Sequence, residues 1–364
     1  MDISQIDKNF VNEYSYEGMV TYNINDKPFR IYGACRAEGE TDFKRLPLSV
    51  VEHLKDNVNV QMLYNHTSGI RVRFKTDSQR ITFGCVLPEI RTSAMMPQTS
   101  QSCFDLYGDY EYANSLHPGR SVTGEYSATK MGEHGYHSGY TFREKKLREI
   151  LIHFPLYNPV SEVYVALEEG AVLLPTDGYR DLPPIVYYGS SITQGGCCSH
   201  PGNTFAAIIS RELDMDFINL GFSGGCRAEP AMADYIATLS MSAFVFDYDH
   251  NAPTVEYLEE THEPFYKKIR AAQPDLPIVF ASMADYCLGK ELHEARRAVI
   301  KKTYDNAIAA GDKNVYFVDG NEIYKEVGVG LCTVDDAHPN DLGFWCMAKA
   351  YGKVLKNCFY EKAK

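Results

Sequence analysis

Apolar and polar residues follow two different patterns along the chain, one before about residue 180 and one after it. In the first part, short runs of β-branched and aromatic residues, often alternating with polar ones, are separated by turn residues. These runs predict strands at 20–24, 70–75, 80–86, 121–127, 140–142, 150–154 and 162–167. Short strands at this spacing, without helices between them, are typical of an antiparallel β-sandwich.

Two stretches interrupt the strands of this first part. Residues 48–55 carry a helical pattern and predict the one obvious helix of the sandwich. Residues 119–139 are rich in glycine and carry His134 and His137, a composition that fits a long hairpin better than a mobile flap. We expect this stretch to contribute part of a substrate cleft.

After the proline-bearing connector at 174–184 the pattern changes to alternating strands and helices. Strands are predicted at 185–188, 217–220, 243–247, 278–281 and 315–318. Helices are predicted at 204–213, with Thr204 or Asn203 as the cap, at 292–310 and at 341–355. This alternation predicts a parallel sheet covered by helices on both faces. We therefore divide the chain into a sandwich domain, 1–180, and an α/β domain, 181–364, which we expect to build its own core.

Composition supports a folded globular protein and excludes some partners. Hydrophobic residues make up 45% and charged residues 23%, and the net charge of −12 opposes binding to nucleic acid or to an anionic membrane. The chain has no apolar run of about eighteen residues, so no membrane span is predicted. Its first residues have neither the basic start nor the apolar core of a secretory signal, which predicts a cytoplasmic protein. The scattered cysteines predict reduced thiols. Cys197, Cys198 and His200 lack the further spaced ligands of a metal site.

The stretch Ile185-Val-Tyr-Tyr-Gly-Ser-Ser-Ile-Thr-Gln-Gly195 is a buried strand that stops abruptly at Gly189. In an open α/β sheet, ligands bind at the loops that leave the carboxyl ends of the strands. Ser191 is therefore a candidate nucleophile, which requires a base and a stabiliser of the oxyanion. A serine and glycine loop without chemistry is the alternative.

Three later loops offer the missing groups. Asn219-Leu-Gly-Phe-Ser-Gly-Gly225 allows close approach of a backbone N–H, and Asp247-Tyr-Asp-His-Asn251 offers a side-chain amide. Asp335-Asp-Ala-His-Pro339 places a carboxylate three residues before a histidine. Each loop also has a purely structural interpretation: a tight turn at the glycines, a capping Asn251, a helix-capping Asp335 with His338, and Asp247 and Asp249 that only hold their loop. His250 is interpreted as a loop histidine.

The four loops together resemble the SGNH hydrolases, also called GDSL-type esterases, whose blocks supply Ser, Gly, Asn and His in this order. Gly189-Ser-Ser-Ile-Thr193 is similar to the family's Gly-Asp-Ser-Ile-Thr, with Ser190 where aspartate is usual. Asp335 and His338 match the Asp-x-x-His-Pro ending, whereas Asn251 stands in an unusual context. The resemblance implies a flavodoxin-like, three-layer α/β/α domain. Cys103-Phe-Asp-Leu-Tyr107 resembles the Gly-x-Asp-Leu-Tyr segment of the jelly-roll-like sandwich that precedes some of these esterase domains.

The resemblance also implies roles for single residues. Ser191 would be the nucleophile, His338 its base, and Asp335 rather than Asp336 the group that orients the base. The N–H groups of Ser191 and Gly224 and the amide of Asn251 would form the oxyanion hole, with Gly225 as the alternative to Gly224. No metal or organic cofactor is implied.

The implied activity is that of a serine esterase for short acyl esters, with acetyl groups on carbohydrate as the expected substrate. The expected partner is thus a small-molecule or oligosaccharide ester, and a homo-oligomer is compatible with the sequence. Two alternatives stay open: an acyltransferase with the same site, and a catalytically weak glycan-binding protein, which the serine at position 190 alone favours.

Overall fold

A computed structural model describes residues 17–37, 39–117 and 135–361. The predicted strand 121–127 and most of the stretch 119–139 lie outside the described residues. The chain forms two compact units. The first comprises Met1–Lys44, Asn65–Gly178 and His200–Gly202, and the second comprises Arg45–Tyr64, Tyr179–Ser199 and Asn203–Lys364.

The segment Arg45–Tyr64 departs from a simple division of the chain near residue 180. It carries two helices, α1 (Leu48–His53) and α2 (Val58–Leu63). The helix predicted at 48–55 therefore exists, but it belongs to the second unit and not to the sandwich. The reason is burial: Leu46, Leu54 and Val60 join the hydrophobic core of the second unit. Residues 181–364 alone thus lack part of that core.

The first unit is an antiparallel sandwich, as predicted. Its strands are β1 (Met19–Asn23), β2 (Arg30–Tyr32), β3 (Arg71–Thr76), β4 (Arg80–Val86), β5 (Phe104–Gly108), β6 (Glu111–Leu116), β7 (Gly135–Thr141), β8 (Arg148–His153), β9 (Glu162–Glu168) and β10 (Leu173–Leu174), with a short helix α3 (Gln98–Gln101). One sheet has the order β1-β9-β4-β7. The other has the order β10-β3-β8-β5-β6, with β2 also paired to β3. Phe83 and Phe104, from the two sheets, pack with ring centroids 4.5 Å apart in the core.

The Asp-Leu-Tyr segment lies on β5 and explains why His200–Gly202 belongs to the first unit. The buried carboxylate of Asp105 accepts a hydrogen bond from the Gly202 N–H (2.7 Å) and contacts Nδ1 of His200. The ring of Tyr112 stacks on His200 with centroids 4.7 Å apart.

The second unit is a three-layer α/β/α domain, as predicted. Its strands are β11 (Ile185–Gly189), β12 (Phe217–Gly221), β13 (Ala243–Asp247), β14 (Ile278–Ala281) and β15 (Val315–Val318), all parallel in the flavodoxin-like order β12-β11-β13-β14-β15. Its further helices are α4 (Ser191–Gln194), α5 (Phe205–Leu213), α6 (Pro230–Thr238), α7 (Val255–Ala272), α8 (Lys290–Ala309), α9 (Gly320–Ile323), α10 (Val329–Cys332) and α11 (Asp341–Lys356). In this strand order the topological switch point lies between β11 and β13, where ligands bind in such sheets.

Two adjacent tyrosines on β11 show how the helices cover both faces. Successive strand residues point to opposite faces of a sheet. The ring of Tyr187 packs against Phe205 of α5, at 5.5 Å, and the ring of Tyr188 packs against Phe265 of α7, at 5.2 Å. No helix among the described residues is both long and apolar enough to span a bilayer.

Candidate active site

The candidate site is built on the carboxyl ends of three neighbouring strands. Gly189, the last residue of β11, lies opposite Gly221 of β12 and Asp247 of β13. The loops that follow these strands therefore leave the same edge of the sheet side by side. They are also bonded to each other: the N–H of Ser223 donates to Oε1 of Gln194 over 2.9 Å.

Gly221 is required for this close approach. A Cβ at this position would lie 2.3 Å from the backbone nitrogen of Gln194 and 2.6 Å from the carbonyl carbon of Thr193. Both atoms belong to the backbone of α4, so they cannot rotate away. The glycine lets the loop after β12 pack directly on the helix that carries Ser191.

Ser191 is the first residue of α4, and Ser190 caps that helix. The Ser190 hydroxyl accepts a hydrogen bond from the Ile192 N–H at 3.1 Å. Serine and aspartate are both favoured at this capping position. The serine found where SGNH hydrolases usually have aspartate therefore preserves the local geometry of the helix start.

Ser191, His338 and Asp335 form one hydrogen-bonded chain. Ser191 Oγ lies 2.8 Å from Nε2 of His338, although the two residues are 147 positions apart. Nδ1 of His338 lies 2.8 Å from Oδ2 of Asp335, and the His338 N–H donates to Oδ1 of Asp335 at 2.7 Å. Because a carboxylate only accepts, Nδ1 carries the proton and Nε2 is left to accept from the serine hydroxyl.

Asp335, and not its neighbour Asp336, is the partner of His338. Asp336 adopts a left-handed conformation with φ +64°, which turns the chain between Asp335 and His338. Partial burial alone would raise the pKa of Asp335. The hydrogen bonds that Asp335 accepts from His338 outweigh this effect, and the pKa of Asp335 is lowered. Asp335 therefore stays ionised beside the imidazole at neutral pH.

The two glycines of the second loop differ in their hydrogen bonds. Gly224 has φ +65°, a left-handed conformation that favours glycine. The N–H of Gly225 donates to the carbonyl of Phe222 at 2.8 Å, so it already has an acceptor. This difference leaves Gly224 as the better candidate for binding an oxyanion.

Asn251 lies on a 3₁₀ turn, Asp249–Asn251, after β13. Its Nδ2 donates to the Phe222 carbonyl at 3.0 Å, which brings the amide to the loop that contains Gly224. The turn is held by a buried ion pair: Arg296 Nε donates to Asp249 Oδ1 at 2.7 Å. Asp249 thus holds its loop. Arg296 was missed in the sequence because it lies 47 positions further on, within α8.

Two more titratable groups of this loop lie outside the hydrogen-bonded chain of Ser191. Thr193 Oγ1 donates to Oδ2 of the buried Asp247 at 3.3 Å. Burial, with the nearby Asp249, raises the pKa of Asp247 to about 7 although His250 opposes the shift.

Burial alone would lower the pKa of His250, but its contact with Asp285, 2.6 Å from Nε2, raises that pKa to about 9. His250 is therefore a charged loop residue bound to Asp285.

The arrangement is suited to nucleophilic catalysis. A serine hydroxyl becomes reactive when a histidine accepts its proton, and a carboxylate behind the histidine stabilises the resulting cation. Among the described residues, no group of three or more His, Cys, Asp or Glu side chains is arranged to hold a metal ion.

Two family profiles match the chain and together cover most of it. The profile of the GDSL-like lipase/acylhydrolase family matches residues 183–356. A profile described as the N-terminus of SGNH hydrolase-type esterases, and named GxDLY, matches residues 19–173. The chain belongs to the SGNH hydrolase family. It belongs to the type with an N-terminal sandwich, which also explains Cys103-Phe-Asp-Leu-Tyr107.

Solved structures share the fold of this SGNH hydrolase. A protein from Bacteroides ovatus ATCC 8483 that is described as a GDSL-like lipase superposes with a TM-score of 0.80 at 23% identity, covering 93% of this chain and 98% of that chain. The salicylyl-acyltransferase SsfX3 of a tetracycline biosynthetic pathway gives 0.73 at 19% identity, with 92% and 96% covered. The acetyl xylan esterase Est2A from the rumen bacterium Butyrivibrio proteoclasticus gives 0.56 at 13% identity, with 93% and 98% covered. No curated protein is significantly similar to the chain in sequence.

Proposed function

We propose that this SGNH hydrolase is a serine esterase that removes short acyl groups, above all acetyl groups, from carbohydrate esters. The observation that carries the proposal is the 2.8 Å contact between Ser191 Oγ and Nε2 of His338, with Asp335 on the other ring nitrogen. This geometry gives the hydroxyl a base in the required tautomer.

The reaction begins when Ser191 Oγ attacks the ester carbonyl and His338 Nε2 takes the hydroxyl proton. Asp335 stabilises the imidazolium that forms. The N–H groups of Ser191 and Gly224 and the amide of Asn251 bind the oxyanion, each contributing about 3 kcal/mol to the stability of the transition state. The proton on His338 passes to the departing alcohol.

In the second half of the reaction, water attacks the acyl-enzyme. His338 now accepts a proton from the water, and a second tetrahedral oxyanion forms. Its collapse breaks the bond between the acyl carbon and Ser191 Oγ, and Oγ takes the proton from His338. The products are the free acid and the original enzyme. No step needs a metal ion or an organic cofactor.

The choice of acetyl and carbohydrate is supported by a structural neighbour that is named as an acetyl xylan esterase. The net charge of −12 also fits a neutral substrate better than an anionic one.

A second candidate, an acyltransferase, is favoured by one observation. The acyltransferase SsfX3 superposes on this chain with a TM-score of 0.73, above the 0.56 of the xylan esterase. The two activities share every residue of the site and differ in whether water or an acceptor hydroxyl attacks the acyl-enzyme. The glycan-binding alternative is disfavoured because the hydrogen-bonded chain from Ser191 to Asp335 is complete.

The test is to incubate the purified full chain with p-nitrophenyl acetate and with acetylated oligosaccharides, and to measure both free acetate and acyl transfer to added alcohols. We expect free acetate from both substrates and none above background from Ser191→Ala. Transfer that exceeds hydrolysis at low acceptor concentration would instead identify an acyltransferase. Equal activity of Ser191→Ala and the wild type would refute the proposal.

A further inference from the structure

Arg45 lies in the segment of the chain that departs from the two-part division of the sequence. Its side chain is buried, with 1% exposed, within the second unit. Two of its partners come 174 and 176 positions later, from β12. None of the sequence blocks that define the catalytic site includes this arginine.

The guanidinium of Arg45 binds three backbone carbonyls. Nη1 donates to the carbonyl of Asn219 at 3.3 Å and to that of Gly221, and Nη2 donates to the carbonyl of Leu63 at 2.9 Å. The planar group also lies over the ring of Phe222, 4.1 Å from its centroid. A guanidinium carries five N–H groups in one rigid plane, so one side chain can hold all these groups at once.

These contacts converge on residues 221–225, the loop after β12 that contains Gly224 and that we call the oxyanion loop. Gly221 and Phe222 directly precede the stretch with Gly224. The carbonyl of Phe222 accepts hydrogen bonds from the Asn251 amide and from the Gly225 N–H. The position of Phe222 therefore affects the placement of both Gly224 and Asn251.

A second residue of the same segment holds the far side of this loop. Asn57 Nδ2 donates to the carbonyl of Gly225 at 2.6 Å, while Asn57 Oδ1 accepts from the Val60 N–H at 3.2 Å and caps α2. The amide of Asn59 packs beside Gly224, where a Cβ would lie 2.7 Å from its Nδ2. The oxyanion loop is thus held from Gly221 to Gly225 by one segment.

We propose that Arg45 and Asn57 are positioning residues of the oxyanion hole, which fix the Gly224 N–H and the Asn251 amide in the geometry of the transition state. The inference rests on the proposed function for its effect on turnover. It concerns residues that touch neither substrate nor Ser191. Hydrogen-bond donors stabilise an oxyanion only when they are held in place beforehand, because reorganisation during the reaction is costly.

The kinetic test uses the full chain and p-nitrophenyl acetate. Arg45→Met should lower kcat by roughly 10- to 100-fold with KM changed by less than about 3-fold, since misplaced donors weaken transition-state binding more than substrate binding. Arg45→Lys should recover part of the loss, because an ammonium reaches some of the carbonyls.

The matched control is Arg270→Met. Arg270 also holds loop carbonyls, those of Gln273 (2.9 Å) and Pro274 (3.0 Å). These residues precede β14 and so lie at the amino ends of the strands, away from the candidate site at the carboxyl ends. Arg270→Met should lower the melting temperature and leave kcat within about 2-fold of the wild type. Unchanged kcat in a folded Arg45→Met protein would overturn the proposal.

Two further measurements keep the inference testable if Arg45→Met does not fold or if the esterase proposal fails. Asn57→Ser keeps a capping oxygen for α2 but loses the bonds that the Asn57 amide donates to the Gly225 carbonyl and to Glu229, and it should lower kcat at unchanged KM. Hydrogen exchange of residues 219–226, which needs no activity, should be faster in Asn57→Ser and Arg45→Lys than in Arg270→Met. Equal exchange in all variants would refute the positioning role, whereas an inactive wild type would refute only the esterase proposal.

Discussion

The side-chain amide of Asn251 donates a hydrogen bond to the main-chain carbonyl of Phe222, 3.0 Å away. This bond joins the loop after β13 to the loop after β12. Since an amide nitrogen carries two hydrogens, one fixes the orientation of the side chain and the other is left for a ligand. Asn251 is thus held as an oriented donor.

Replacing Asn251 by Ala should lower kcat for p-nitrophenyl acetate by roughly 10²- to 10³-fold, because the proposed side-chain donor to the oxyanion is lost. KM should change little, since the carbonyl of the bound ester carries less charge than the transition state. Steady-state kinetics on protein with an unchanged circular dichroism spectrum checks this. A kcat of more than half the wild-type value would remove Asn251 from the oxyanion hole.

Asp335→Asn should lower kcat by roughly 10²- to 10⁴-fold, because the amide neither stabilises the imidazolium nor selects its tautomer. Asp336→Asn is the matched control, since asparagine tolerates the left-handed conformation found there (φ +64°). It should retain nearly full activity. The opposite result, with Asp336→Asn inactive and Asp335→Asn active, would move the assignment by one residue.

Ser190→Ala should destabilise the protein by about 1 kcal/mol, because the capping bond to the Ile192 N–H is lost at the start of α4. Turnover should fall as well, since α4 carries Ser191. Ser190→Asp restores the residue usual in the family and should keep the cap. Denaturant unfolding and kcat would be measured on both variants, and equal stability of Ser190→Ala and the wild type would show that the cap is dispensable.

Gly221→Ala and Gly352→Ala should have opposite effects on stability. At Gly221 a Cβ meets backbone atoms at 2.3 and 2.6 Å, and overpacking of this kind costs about 1–3 kcal/mol or more. At Gly352, on α11, the nearest atom is a side-chain carbon of Ile209 at 3.6 Å, so alanine should stabilise the helix by about 0.5–1 kcal/mol. Chemical denaturation distinguishes the two. A stable, active Gly221→Ala protein would contradict the close packing of α4 on this loop.

Asp247→Asn should raise the melting temperature at alkaline pH and not at acidic pH. Burial raises the pKa of Asp247 from 3.8 to about 7, so the folded state favours the protonated form. The stability that this group contributes is complete below pH 3.8 and is lost as the pH rises through about 7. The difference in melting temperature between variant and wild type should therefore grow from pH 4 to pH 8. A difference that does not change with pH would mean that Asp247 is ionised throughout.

The regular elements with a strong local pattern could be predicted from the sequence. The predicted strands 80–86, 243–247, 278–281 and 315–318 coincide with β4, β13, β14 and β15. Others were not predicted: β5 contains Asp105 and Gly108, and β6 contains Asn114, which all disfavour strands. Helix α7 was not named either, because Pro264 lies within it.

In the candidate site, the residues that follow the strands could be placed together from their order alone. Ser191, at the start of α4, directly follows β11, and the topology brings the carboxyl ends of β11, β12 and β13 together. Asp335 and His338 lie well beyond the end of β15, after two short helices, and their assignment came from the family resemblance. Arg45, Asn57 and Arg296 could not be found in this way. Each looks like a surface residue in the sequence, and its partners lie 174, 168 and 47 positions away.

The early position of Arg45–Tyr64 in the chain also affects folding during synthesis on the ribosome. This segment emerges well before the chain that it packs against, because Asn219 follows Arg45 by 174 residues. At a typical translation rate this gap lasts roughly 10–35 s, during which the apolar side chains of α1 and α2 have no core to enter. The nascent chain must therefore carry an exposed hydrophobic segment while the sandwich strands are made. Chaperone demand should be highest in that interval and fall once β12 has left the exit tunnel.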